Sequence, residues 1–162
     1  MIDLANTAEV FTIEPLRGIV LTVRPGDSAS VLSAQESANR RVQTLLDSLS
    51  EVKEAGLLEE GVAPDLSDKD TQEGLRLKFL AEEMAIRHVI AWEGVEYRGK
   101  PAPLSRAGLV ALMGNALIGP RFLQMFNMKQ LEQILIKKDF GPAVTGTSAA
   151  DPSIAPNAAN KD

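Results

Sequence analysis

From Asp70 to Trp92 the chain carries apolar residues in almost every helical direction, and that run limits what the rest can be. Leu75, Phe79, Ile86 and Ile90 mark one face, while Leu77, Leu80, Met84 and Ala91 mark others. A helix apolar nearly all round in its second half has to be enclosed by other elements, so it is predicted to be the centre of a core. Glu82 and Glu83 interrupt it. Adjacent residues on a helix point in different directions, which is poor geometry for a shared acid–base pair, and these two read as a solvated face.

The flanking segments supply the cover. Residues 10–24 read as a β-hairpin: Val10 to Ile13 and Ile19 to Val23 are β-prone, and Glu14-Pro15-Leu16-Arg17-Gly18 supplies the turn. Pro25-Gly26-Asp27-Ser28 breaks the strand and offers an N-cap. Between Ala29 and Ala55 the residues Ala38, Val42, Leu45, Leu49 and Val52 repeat at spacings of four and three, which predicts a long amphipathic helix with one narrow stripe. An acidic connection follows over 56–67, with a short turn at Leu57-Leu58. Ser67 with Asp70 then resembles a capping box for the central helix.

After Trp92 comes a turn-rich linker to Pro103 with a short extended piece at Val95 to Tyr97. Ser105 caps a short helix to about Asn115. Gly119-Pro120 opens the last helix, where a missing amide hydrogen costs nothing, and Phe122, Met125, Phe126, Leu131, Ile134 and Leu135 follow helical spacing. From Gly141 the composition turns to Ala, Pro, Ser, Asn, Thr and Gly. The expectation is one mainly α domain (α+β, four-helix type) with a small N-terminal hairpin over residues 1–140, and a disordered tail over 141–162.

Composition excludes several chemistries. The 162 residues include no Cys and a single His, which removes disulfides, thiolate nucleophiles and multi-histidine metal sites. A net charge of −5, with basic residues interspersed among acids, argues against nucleic acid; Arg40-Arg41 and Lys137-Lys138 are the only adjacent basic pairs. No apolar run approaches the ~18 residues of a membrane span, and the start has no basic residue of the kind a signal peptide carries, so an intracellular, non-membrane protein is expected.

Individual candidates point away from catalysis. His88 is the one imidazole and lies in the most apolar helix, where packing explains it without a catalytic partner. Asp68, Asp70 and Glu73 suggest a cation loop, but Gly74 comes one residue late and Phe79 stands where a bidentate Glu would be needed. Gly114 and Gly119 have phosphate-loop spacing, yet Pro120 and Arg121 replace the Lys and the hydroxyl residue. No metal or cofactor is expected. Met113, Met125 and Met128 either fill the core or line an adaptable groove. Trp92, at a helix end beside Gly94, either packs under the linker or anchors a partner.

Ile90-Ala91-Trp92-Glu93-Gly94-Val95, followed by Gly99-Lys100-Pro101-Ala102-Pro103-Leu104-Ser105 and a short Leu-rich helix, resembles the tail assembly chaperones of long-tailed bacteriophages and prophages. Leu21-Thr22-Val23-Arg24-Pro25 before a long Ala- and Arg-containing helix, and the small-residue ending from Gly141 to Ala149, resemble that family in the same order. The resemblance covers about three quarters of the chain and implies a non-catalytic helical protein of the host cytoplasm. Such a protein coats the tape measure protein, keeps it soluble, helps recruit major tail tube subunits, and is absent from the mature virion; self-association is a separate matter, left open together with its stoichiometry. The family has no catalytic residues. Trp92, Gly94, Val95 and Pro101 are the motif positions, and Met125 and Met128 are added as candidate partner contacts. A structural virion component, such as a head–tail connector or minor tail protein, is the alternative.

Overall fold

In the computed structural model, which describes residues 9–56 and 65–139, an antiparallel hairpin of β1 (Phe11–Leu16) and β2 (Ile19–Val23) comes first. The turn is tighter than expected. Only Arg17 and Gly18 lie outside the strands; Glu14, Pro15 and Leu16 belong to β1, and an irregularity between Ile13 and Leu16 absorbs the proline on this edge strand. Glu14 Oε1 accepts from the Gly18 amide at 2.9 Å. The readings made on residues 1–8, on 57–64 with the Leu57-Leu58 turn, and on the tail 141–162 lie outside the described residues.

Asp27 then starts α1 (Ser28–Glu54) through a reciprocal cap. Its Oδ1 accepts from the Ser30 amide at 2.7 Å, and Ser30 Oγ accepts from the Asp27 amide at 3.1 Å. The start of α2 (Lys69–His88) differs from the expected Ser67–Asp70 box. Ser67 is held in a turn by Asp65, and Asp68 is the N-cap, accepting from the Thr71 amide at 3.0 Å.

The central helix ends four residues before Trp92. It stops at His88, and Val89–Glu93 forms β3, which pairs antiparallel with β2 to complete a three-stranded sheet ordered β1-β2-β3. The hairpin supplies the reason. A lone two-stranded ribbon is marginal, and the β2 edge facing away from β1 carries peptide groups that need partners. The Arg24 amide donates to His88 O at 2.8 Å, and the ladder follows with Thr22 opposite Ala91 and Leu21 opposite Trp92. Val89 and Ile90, β-branched, suit a strand as readily as a helix.

Past Gly94 a second, two-stranded ribbon forms from β4 (Glu96–Tyr97) and β5 (Lys100–Pro101), in agreement with the extended piece expected there. Then α3 (Arg106–Met113) is capped by Ser105, whose Oγ accepts from Gly108 N at 3.1 Å. Asn115 Oδ1 receives the Leu117 and Ile118 amides ahead of α4 (Ile118–Asp139), so Gly119 and Pro120 fall in its first turn. The core is centred on the second half of α2: Ala81, Met84 and Ala85 meet Ile13, Leu21, Val23 and Val89 from the sheet, Leu109 and Met113 from α3, and Phe122 and Phe126 from α4. No single described helix is long and apolar enough to cross a membrane.

Candidate functional site

Trp92 lies in β3, not at a helix end, and it is half-buried. Its Nε1 donates to Ala102 O at 2.7 Å, and the Ala102 amide donates to Val95 O at 2.9 Å. Trp92, Val95 and Pro101 are therefore brought together in one small unit, in which the indole ties the β4–β5 ribbon to the sheet. Two glycines make the close packing possible. A Cβ on Gly108 would sit 2.5 Å from Trp92 Cη2; one on Gly94, whose φ is +76°, would overlap the Gly18 carbonyl. At the tip, Tyr97 is exposed and Arg98 lies over its ring, 5.2 Å from the centroid.

Met125 and Met128 lie on α4, a different element. Met125 is half-buried against the core cluster, whereas Met128 is exposed, and Met113 on α3 is buried. The helix has two opposed apolar faces. Phe122 and Phe126, one turn apart, are fully buried, with Phe126 against His88 and Phe11. Met128, Leu131 and Leu135, spaced three and four apart, fall on the opposite side and are half or more exposed, with Ile134 62% exposed on the flank. The inward half of this helix was legible as core; the outward half has the same spacing. Only the two-sidedness of its pattern, apolar at 122 and 126 and again at 128, 131 and 135, distinguishes them.

Glu82 and Glu83 are not a solvated face. They are 1% and 4% exposed, and Arg41 from α1 reaches both, with Nη2 2.6 Å from Glu82 Oε2 and Nη1 3.3 Å from Glu83 Oε1. Arg87 pairs with Glu83 as well and reaches Ser33 Oγ at 3.3 Å. Burial pushes the Glu83 carboxyl up, but the Arg87 guanidinium, Ser37 and Arg41 together hold it below the usual carboxylate range. Although the two residues are adjacent on the helix, their carboxylates converge on the one Arg41 guanidinium. Solvent does not reach this side of α2, where the sequence pattern predicts a solvated face, because α1 covers it. Beyond this clasp an open groove of about 420 Å³ runs between Thr44, Leu45 and Ser48 on α1 and Phe79 on α2.

His88 is buried, its Nδ1 donating to Arg24 O at 3.2 Å and its ring 5.0 Å from Phe126. Because a carbonyl only accepts, Nδ1 carries the proton, and Nε2 is left without a hydrogen-bond partner. No nucleophile or carboxylate is positioned on it among the described residues. Asp68 serves as a helix cap, and hydrogen bonds from Thr71 hold its carboxyl below the ordinary range. Among the described residues no three His, Asp or Glu side chains converge as a metal site. Set against protein-family models, curated proteins and solved structures, the chain matches none.

Proposed function

We propose that the chain is a non-catalytic tail assembly chaperone of the kind made by long-tailed phages and prophages, working in the host cytoplasm and left out of the mature virion. It holds amphipathic helical segments of the tape measure protein on the outward face of α4 and helps bring major tail tube subunits to them. The observation that carries this reading is the second apolar face of α4: Met128, Leu131 and Leu135 form a solvent-facing stripe on a helix already anchored by Phe122 and Phe126. An amphipathic helix recognises such a stripe through its own i, i+3 and i+4 positions. The resemblance of the Trp92–Ser105 segment to that family supplies the identity of the client, and the net charge of −5 keeps a coated client dispersed.

Co-expression with the tape measure protein of the same genome tests it. The expected result is a soluble complex that co-purifies, and loss of both solubility and co-purification with Met128→Glu/Leu131→Glu. A client equally insoluble with and without the chain would end the reading. Stoichiometric recovery of the chain by mass spectrometry of purified particles would replace it with the structural-component alternative.

A further inference from the structure

The half of α1 and α2 remote from the sheet stands outside the core. From Asn39 to Phe79 no described residue belongs to the main core cluster and no described apolar side chain packs on it; Leu66, just before α2, is buried apart from that cluster. What remains is an arm of two helices, α1 from Asn39 to Glu54 and α2 from Lys69 to Phe79, about 20 Å long at 1.5 Å per residue. Its seam residues Val42, Leu45, Leu46, Leu49, Leu75 and Phe79 are only half-buried, and Val52 and Leu77 are 38% and 43% exposed. Each side of the ribbon is open. The 420 Å³ groove at Leu45 and Phe79 lies on one side, and a second, of about 220 Å³, separates Val42 and Leu46 from Gln72 and Arg76.

Two helices share one seam and leave it accessible along both margins; helix bundles enclose such seams with two more helices. The groove rim suits a close helical neighbour. Thr44 and Ser48 turn their hydroxyls into their own helix, donating to Arg40 O at 2.9 Å and Thr44 O at 2.8 Å, so they present short side chains beside Leu45.

Charge identifies the occupant. Towards its tip the arm carries Glu51, Glu54, Asp68 and Asp70 against Lys53 and Lys69; Asp47 and the Glu73–Arg76 ion pair lie midway, and the base carries Arg40 and Lys78, which have no ion pair among the described residues. The pattern is self-complementary when reversed. Two arms laid antiparallel about a two-fold axis place each acidic tip on the other's basic base, while a parallel pair sets acid against acid. We infer that the α1–α2 arm is a self-association surface whose occupant is the same arm of a second copy, packed antiparallel to complete a four-helix bundle. This surface shares no residue with the outward face of α4, so it stands or falls separately from the client reading.

Sedimentation equilibrium of the full chain tests it. The expected species is a dimer whose dissociation constant rises with salt. Arg40→Glu/Lys78→Glu and Glu51→Lys/Glu54→Lys should each weaken it about tenfold, and combining all four should restore most of the loss, since exposed charge pairs across an interface contribute modest amounts that add. These side chains are not part of the core, and circular dichroism checks the fold of each variant. The absence of cysteine allows a second readout. Ser48→Cys, near the middle of the arm and so near the two-fold axis, should give a disulfide-linked dimer on oxidation, whereas Gln124→Cys on α4 should not. A monomer at all concentrations, a dimer indifferent to the charge reversals, or one lost with Leu131→Glu would each overturn the proposal.

Discussion

The two halves of α2 are alike in apolar content and opposite in environment. Ala81 to Ala85 are buried without exception, two glutamates included, while Leu75, Leu77 and Phe79, one or two turns earlier, are half-buried or exposed. What differs is the number of layers laid over them. The sheet, α3 and α4 enclose the second half; the first runs mainly along α1. Apolarity is a property of a residue, but burial depends on what the rest of the chain can bring to it.

The largest expected effects lie where the layers meet. Phe126→Ala removes a fully buried ring in contact with Phe11, His88 and Phe122, and should cost about 4 kcal/mol of unfolding free energy, as large-to-small core replacements do. Leu49→Ala, on the arm, should cost about 1 kcal/mol, because a half-buried side chain leaves little cavity. Urea unfolding of the two variants at low protein concentration checks the difference. Equal losses would mean that body and arm are one core after all.

Next comes the junction. Arg41→Met leaves Glu82 buried without a cation and should cost about 3 kcal/mol, at the lower end for a broken buried pair because Arg41 is itself one-third exposed. Glu82→Gln, which keeps a hydrogen-bond acceptor for Arg41 and removes the buried charge, should cost distinctly less. The same unfolding measurement ranks them, and the reverse order would show that the cation, not the carboxylate, is what the fold must satisfy.

The sequence pattern showed elements better than it showed their surroundings. The hairpin strands, the caps at Asp27 and Ser105, and the apolar second half of α2 follow from local chemistry, and the structure has all of them. The strand Val89–Glu93 was hidden because Val89, Ile90 and Trp92 also fit helical spacing; only the unmet hydrogen bonds of β2, far away in the chain, select the strand. Burial of Glu82 and Glu83 was hidden for the same reason. Its cause is Arg41, about forty residues earlier. Of the candidate contacts, Trp92, Gly94, Val95 and Pro101 proved to be parts of an internal tie, with Met128 exposed and Met125 half-buried, and the exposed stripe at Leu131 and Leu135 could not be separated from the core face by spacing alone.

The Trp92 tie gives a smaller, sharper test. Gly108→Ala forces a methyl group against the indole and should cost about 1–2 kcal/mol, in the range of modest overpacking. In a Trp92→Phe background, where Cη2 is gone, the same change should cost much less. A double-mutant cycle in thermal unfolding measures the coupling, and additive losses would mean that the indole does not set the spacing there.

The smallest effect concerns the only imidazole. Burial disfavours a charged His88, and the hydrogen bond to the Arg24 carbonyl with the nearby Asp27 charge only partly offsets that and the repulsion from Arg24 and Arg87, so the folded protein holds its pKa below the ordinary value. From α4, Phe126 packs on the ring and the Gln130 amide borders Gly26 beside it, yet Nε2 has no hydrogen-bond partner among the described residues. Above the unfolded value of about 6.5 both states are neutral and the full stability is present. As pH falls below it, the unfolded chain takes up a proton that the folded one resists, and stability declines until the folded pKa is reached. Ordinary carboxyl groups titrate near 4, so the interval between about 6.5 and 5 is the one a histidine occupies. His88→Leu should flatten the dependence of unfolding free energy on pH across that interval while leaving the acid limb, where Glu83 and the capping aspartates lose their ionic partners and amides, unchanged. A slope that survives the substitution would transfer the titration to another group and leave His88 as neutral packing between α2 and α4.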